Sequence, residues 1–320
     1  MTSSVEPALT VGPVLIIGSG LLGTSLGLAL TLREVSVLLD DSSPTALALA
    51  VDLGAGRRVE EDDAPNLVVV ATPPDVAGEV VAAALAKYPN ATVTDVASVK
   101  GAVRADLSGA DLTRYVGSHP MAGREKSGPI AARTDLFFGR PWIVVPDKES
   151  SGTARAAVRA LAVDVGASVT TMDATSHDRA VALVSHLPQL VSTLVAAQLQ
   201  GAPEGTLDLA GQGLRDVTRI ASSEPGMWTQ ILSGNAAEVA AVLTALRGDL
   251  DTIIDALSDV GPGTWAALAN TFEAGNAGVA RIPGKHGGAP QNYDLVSVLV
   301  PDTPGSLARL LTLIGEQNFN

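Results

Sequence analysis

Ten residues near the N-terminus restrict this chain more than any others: Val14-Leu15-Ile16-Ile17 runs directly into Gly18-Ser19-Gly20-Leu21-Leu22-Gly23. The first four are β-branched or leucine, the composition of a short strand buried on both faces. Apolar periodicity over residues 26–32 then predicts a helix. Strand, glycine turn and helix, in that order, open a dinucleotide-binding βαβ unit. In such a unit Gly18 permits the tight turn, Gly20 lets the backbone approach a pyrophosphate, and Gly23 lets helix lie close on strand. The phosphate meets free N–H groups at the helix N-terminus. Gly18, Gly20, Leu21, Leu22 and Gly23 are therefore the first cofactor-binding candidates.

The next segments extend the pattern. A second strand over residues 35–39 ends in Asp40-Asp41, about 20 residues past the turn, where an acid takes the ribose hydroxyls of NAD. Asp41 is the first choice and Asp40 the second; either repels a 2′-phosphate, which favours NAD over NADP. Strands are predicted over residues 67–70, 91–96, 142–145 and 168–171, with helices over 76–85 and 153–165. The strand ends present Thr72-Pro73 and Ser98, and ligands bind at the carboxyl edge of such sheets. Thr72, Pro73 and Ser98 join the cofactor-binding candidates. Residues 11–172 thus read as a Rossmann-like α/β domain.

From Ser176 strand signals cease and helical patterns continue to about residue 271, broken by Gly and Pro near 201–205, 224–226 and 261–263. An all-α domain over 173–274 is expected, followed by a Gly/Pro-rich linker over 275–292. Residues 293–300 alternate as a strand and 307–314 are amphipathic, so 293–320 reads as the opening of a small α+β unit, too short to bury a core alone. The formal charge of −13 lacks the basic footprint of a nucleic-acid binder. Cysteine is absent, the four histidines lack metal-ligand spacing, and there is neither a basic N-terminal leader nor an uninterrupted apolar run near 18 residues. The expectation is a cytoplasmic protein with no metal, nucleic-acid or membrane partner.

Three constellations carry chemistry. The first is Gly117-Ser118-His119-Pro120-Met121-Ala122-Gly123-Arg124-Glu125-Lys126-Ser127-Gly128, read as a rigid loop in which Pro120 biases His119 away from helix. The second is a helix beginning near Ser176, which aligns Asp178, Ala182, Ser185, His186 and Gln189 on one stripe beside a seam of Leu183, Leu187, Leu190 and Leu194. Pro188 frees the carbonyl of Val184 and predicts a break there. The third sets Arg215 and Arg219 one helical turn apart. Asp216 is placed to partner one guanidinium and a ligand carboxylate the other.

Taken with the glycine turn and Asp95-Val96-Ala97-Ser98-Val99-Lys100, these stretches resemble the prephenate dehydrogenases, in the order that family has them; residues 300–307 resemble the start of an ACT regulatory domain. The resemblance implies NAD-dependent oxidative decarboxylation of prephenate, or of arogenate, by a homodimer paired through its helical domain. It implies that His119 accepts a hydrogen bond or proton from the ring hydroxyl and that Ser98 helps hold that hydroxyl. Arg219 would bind a substrate carboxylate, with Arg215, Asp216, Gln189 and Glu125 around it and Trp228 in support. Gln189 stands where the family often has a second histidine, and Arg124 where threonine is common. The shortened ACT-like segment bears on feedback by tyrosine. A β-hydroxyacid dehydrogenase would need a lysine in the helical domain, and residues 177–246 contain none. A non-catalytic sensor of NAD or an amino acid would not need His119 and Arg219 to converge.

Overall fold

The computed structural model describes residues 7–124, 126–261, 263–283, 300 and 303–316. Five strands form a parallel sheet in the order β3-β2-β1-β4-β5. They are β1 (Val14–Ile17), β2 (Val37–Asp40), the two-residue β3 (Arg57–Arg58), β4 (Leu67–Val70) and β5 (Thr92–Asp95). Between them run α1 (Leu21–Leu32), α2 (Pro44–Asp52) and α3 (Pro74–Lys87), and α4 (Gly101–Asp106) follows β5. Every pairing in this sheet is parallel, so each strand needs a crossover and both faces are covered. Val14 and Ile16 pack into the cluster with Leu26 and Leu30 of α1, whereas Leu15 joins Ala77, Val81 and Ala84 of α3 on the opposite face. That alternation explains why β1 is apolar without interruption.

A second, three-stranded sheet follows, ordered β6-β7-β8. It comprises β6 (Val116–Pro120), β7 (Pro141–Pro146) and β8 (Ser168–Thr171), with α5 (Gly152–Asp164) before β8. A parallel bridge between Val93 and Tyr115 joins it to β5. His119 therefore lies within strand β6, not on the loop expected from its neighbours. Antiparallel pairing with β7, His119 opposite Ile143 and Pro120 opposite Trp142, supplies the strand that local composition argued against. Pro120 is tolerated because β6 is an edge strand of this sheet.

The helical part comprises α6 (Ala174–Val181), α7 (Leu187–Gln198), α8 (Gln212–Thr218), α9 (Pro225–Gly234), α10 (Ala236–Ser258) and α11 (Thr264–Val279). Between α6 and α7 the chain takes a π-helical turn over Ala182–His186, the break Pro188 foretold. The run Ala174–Gly201 is long and apolar enough, by length and composition, to cross a membrane. Counting only uninterrupted apolar residues in the sequence did not anticipate it.

The chain divides into two compact units between Thr252 and Ile253, within α10. In the second unit α11 continues to Val279, five residues into the expected linker. Gly275 and Gly278 fit this helix, with nothing near the positions their side chains would take. The helix expected over 307–314 is α12 (Ser306–Glu316); the strand expected over 293–300 falls, but for residue 300, outside the described residues.

Candidate active site

The carboxyl edge of the parallel sheet is built for a dinucleotide. Gly18 has φ +107°, and its amide donates to the Asp40 carbonyl at 2.8 Å, folding the turn over the end of β2. α1 starts at Leu21 with Gly20 as its N-cap and no side-chain cap, so the amides of its first turn remain available to an anion. A Cβ at Gly20 would meet nothing within 4 Å, which leaves open space against that turn. Asp41 sits beside the turn: one carboxylate oxygen accepts from the Ser19 amide, the other from the Ser43 amide at 2.7 Å. The hydroxyls of Ser19, Thr72 and Ser98 are buried without a partner among the described residues. Buried hydroxyls normally find partners; three orphans around one open rim fit a polar ligand such as NAD.

His119 enters this rim from β6. Its Nδ1 lies 2.9 Å from Nε2 of His177, and Nδ1 of His177 lies 2.7 Å from Oδ1 of Asp178. Asp178 also accepts the amides of Lys100 (Oδ1, 2.9 Å) and Gly101 (Oδ2, 2.7 Å), so a helical-domain carboxylate caps the loop that carries Ser98. Burial would raise the Asp178 carboxyl, but hydrogen bonds from His177, Lys100 and Gly101 outweigh it and hold the group below the ordinary carboxylate range. Burial pushes the His119 imidazole well below its ordinary value; His177, Lys100 and His186 push the same way. At neutral pH His119 is uncharged, as a proton acceptor must be.

Beneath His119 lies a charged brace. The Lys100 ammonium pairs with Asp95 Oδ1 and donates to the Ser118 carbonyl at 2.7 Å, while the Tyr115 hydroxyl donates to Asp95 Oδ2 at 2.7 Å. Ser118 Oγ donates to the Asp95 carbonyl at 2.8 Å. These bonds lock β6 to the end of β5, which fixes His119 relative to the chain leading to Ser98. A fully buried ion pair needs such additional partners to offset its desolvation.

On the helical side, Asn235 donates from Nδ2 to the Asp178 carbonyl at 2.8 Å and lies 3.3 Å from Nδ1 of His186. The His186 ring packs edge-on against Trp228 at 6.2 Å. Gln189 is buried and donates from Nε2 to the Ile220 carbonyl at 2.9 Å and to Ser223 Oγ at 3.2 Å. Its amide thus secures the turn that bears Arg219. That turn is a 3-10 segment, Arg219–Ala221, entered where α8 ends at Thr218, so Arg215 and Arg219 do not share one α-helix as their spacing suggested. Asp216 accepts from Gln212 at 2.8 Å. Arg215, Asp216 and Arg219 are all exposed, and Glu125 lies outside the described residues.

Sequence reasoning placed Asp178 on the functional stripe but missed His177, whose partner is 58 residues away, as well as the Lys100–Asp95 brace and Asn235. The one local signal was a histidine-aspartate pair at the start of a helix.

Two family models match the chain: the nucleotide-binding domain of prephenate dehydrogenase over residues 26–171, and its dimerization domain over residues 173–273. The chain is 40% identical to a probable prephenate dehydrogenase, NovF, of Streptomyces niveus, over 92% of this chain and 84% of that protein. Among solved structures it resembles prephenate dehydrogenase of A. aeolicus in complex with hydroxyphenyl propionate and NAD+, with 28% identity, TM-score 0.74, and coverage of 83% of this chain and 97% of that one. It also resembles Synechocystis arogenate dehydrogenase, with 25% identity, TM-score 0.69, and coverage of 83% and 98%.

Proposed function

This chain belongs to the prephenate dehydrogenase family, and we propose that it converts prephenate to 4-hydroxyphenylpyruvate and CO2 with NAD as oxidant. Bound NAD supplies the hydride acceptor. It would lie on Gly18, Gly20, Leu21, Leu22 and Gly23, with Asp41 at the ribose and with Thr72, Pro73 and Ser98 along the rim.

The observation that carries the reading is the buried, neutral His119, tied through Nδ1 and set at the sheet's carboxyl edge. As hydride leaves the ring carbon bearing the hydroxyl, that O–H becomes acidic. Nε2 of His119 accepts its hydrogen bond or proton, and Ser98 Oγ holds the same oxygen. Loss of CO2 then makes the ring aromatic, and the proton returns to the phenolic oxygen. Substrate aromatisation drives the reaction, so the protein's share is orientation and proton management. Arg219 holds a substrate carboxylate, with Gln189 securing its turn and Arg215 and Asp216 on the preceding helix.

Absorbance of NADH tests this directly. Prephenate plus NAD should give steady NADH formation, faster than arogenate does; the absence of NADH with both substrates would overturn the proposal. The arogenate reading has support from the Synechocystis similarity and would be favoured if the order were reversed.

The pH profile gives a second check. Because burial lowers the His119 pKa, the acid limb of kcat/KM should lie below the ordinary imidazole value of about 6.5. The rate should be flat through neutrality and fall only as acid protonates the ring; a limb above that value would contradict a buried base.

We also assign the chain to a cytoplasmic homodimer. The part matched by the dimerization model carries exposed Leu183 in the π-turn, exposed Leu194 on α7 and exposed Trp265 and Phe272 on α11, apolar residues that a partner subunit would cover.

A further inference from the structure

We propose that His177 and Asp178 are positioning residues that hold His119 as its Nδ1–H tautomer and so keep Nε2 free to accept the substrate proton. The proposal rests on the reading of His119 as the base. It follows from counting donors and acceptors along a buried chain.

An ionised carboxylate only accepts. Asp178 is held in that form by three donors: Nδ1 of His177 and the amides of Lys100 and Gly101. His177 must therefore carry its proton on Nδ1, which leaves Nε2 an acceptor when the ring is neutral. The donor that meets Nε2 is Nδ1 of His119, 2.9 Å away. His119 thus has its proton on Nδ1 and its lone pair on Nε2. No other arrangement of neutral rings satisfies the chain.

The alternative is a cationic His177 donating from both nitrogens. His119 would then carry its proton on Nε2 and could not serve as base. The two states differ at His119 Nε2, which is bare only when the His177 ring is neutral, so the nitrogen spectrum of His119 separates them. The groups facing His119 are His177 from α6, the Lys100 ammonium from the β5–α4 loop, and His186 from the π-turn, with Asp95 engaged by Lys100 and Tyr115.

The chain has a mechanical role as well. The Asp178 oxygens are gripped by backbone amides two and three residues after Ser98, so the carboxylate that orders both imidazoles is indexed to the loop holding the other hydroxyl contact. When His119 takes the proton, the Asp178 charge stabilises the resulting imidazolium through His177. This is the logic of an acid–base group oriented by a third residue, with one more imidazole interposed.

Nitrogen NMR of histidine-labelled protein tests the assignment without turnover. The His119 signals, identified by their loss in His119→Asn, should show Nδ1 protonated and Nε2 bare at neutral pH. In Asp178→Asn a single amide oxygen cannot accept from His177, Lys100 and Gly101 together, and the charge that stabilises the His119 imidazolium is gone. There kcat should fall at least about tenfold, while NAD affinity and the prephenate KM stay within about threefold. A wild-type His119 protonated on Nε2 overturns the proposal, as does Asp178→Asn with unchanged kcat. The NMR result is read on substrate-free enzyme, so a wrong substrate assignment and a wrong tautomer are separately visible.

Discussion

His119→Asn is expected to abolish practical turnover while leaving NAD binding intact. Asparagine is close in size to the imidazole and polar at its tip, so its side-chain amide can donate to Nε2 of His177 as Nδ1 of His119 does. The substitution therefore opens little cavity and leaves no buried acceptor unpaired. What it removes is the ability to take a proton. General-base catalysis contributes about 10²–10⁴ in rate, and kcat should fall by that factor. The rim proposed for the dinucleotide comprises β1, α1, the end of β2 and the strand ends at Thr72 and Ser98, whereas the hydrogen bond of the His119 ring among the described residues goes to His177. Calorimetric affinity for NAD should match the parent protein. Retention of wild-type kcat would remove His119 from the mechanism; loss of NAD affinity would mean that the substitution had disturbed the rim and not only the chemistry.

The nucleotide-binding half was legible because its determinants are local. A strand, three glycines and a helix lie within 19 residues, from Val14 to Leu32, and their order is their fold. The position of Asp41, the acid just beyond β2, follows from the same local order, and its carboxylate lies against the turn through the Ser19 amide. Pro188 announced a helix break by removing one donor, and the π-turn stands there. Where the reading went wrong, a distant partner decided. Gly117 to Pro120 looks like a loop until β7 pairs with it from more than 20 residues away. Arg215 and Arg219 look like helical neighbours, but α8 gives way to a 3-10 turn that Gln189 secures from α7. His177 offered no periodic signal, since its role is defined by His119 on one side and by Asp178, itself gripped by Lys100 and Gly101, on the other. Glycine turns and caps are written in sequence; polar chains that cross between domains are not.

The glycine turn allows a paired test in which two similar substitutions should part company. A Cβ on Gly23 would stand 1.8 Å from the Gly18 carbonyl oxygen and 3.1 Å from Cγ2 of Ile16. The oxygen belongs to backbone already committed to φ +107° at Gly18, so it cannot rotate aside. Gly23→Ala must push α1 away from β1, opening the packing of Leu26 and Leu30 against Val14 and Ile16. Overpacking of this kind costs about 2–3 kcal/mol, or roughly 5–10 °C in Tm for a domain of this size. Lifting the helix also withdraws its N-terminal amides from the pyrophosphate, so NAD affinity should collapse along with stability. Gly20→Ala should behave differently. Gly20 has φ −76°, open to any residue, and its Cβ meets nothing within 4 Å. The protein should melt as the parent does, yet bind NAD at least about tenfold more weakly, because the new methyl occupies the space where backbone and pyrophosphate approach. Thermal melts and NAD titrations on both variants decide the matter. Equal NAD affinity in Gly20→Ala and the parent would place the cofactor elsewhere than on this turn, and a Gly23→Ala protein of unchanged Tm would show that helix and strand do not meet as closely as described.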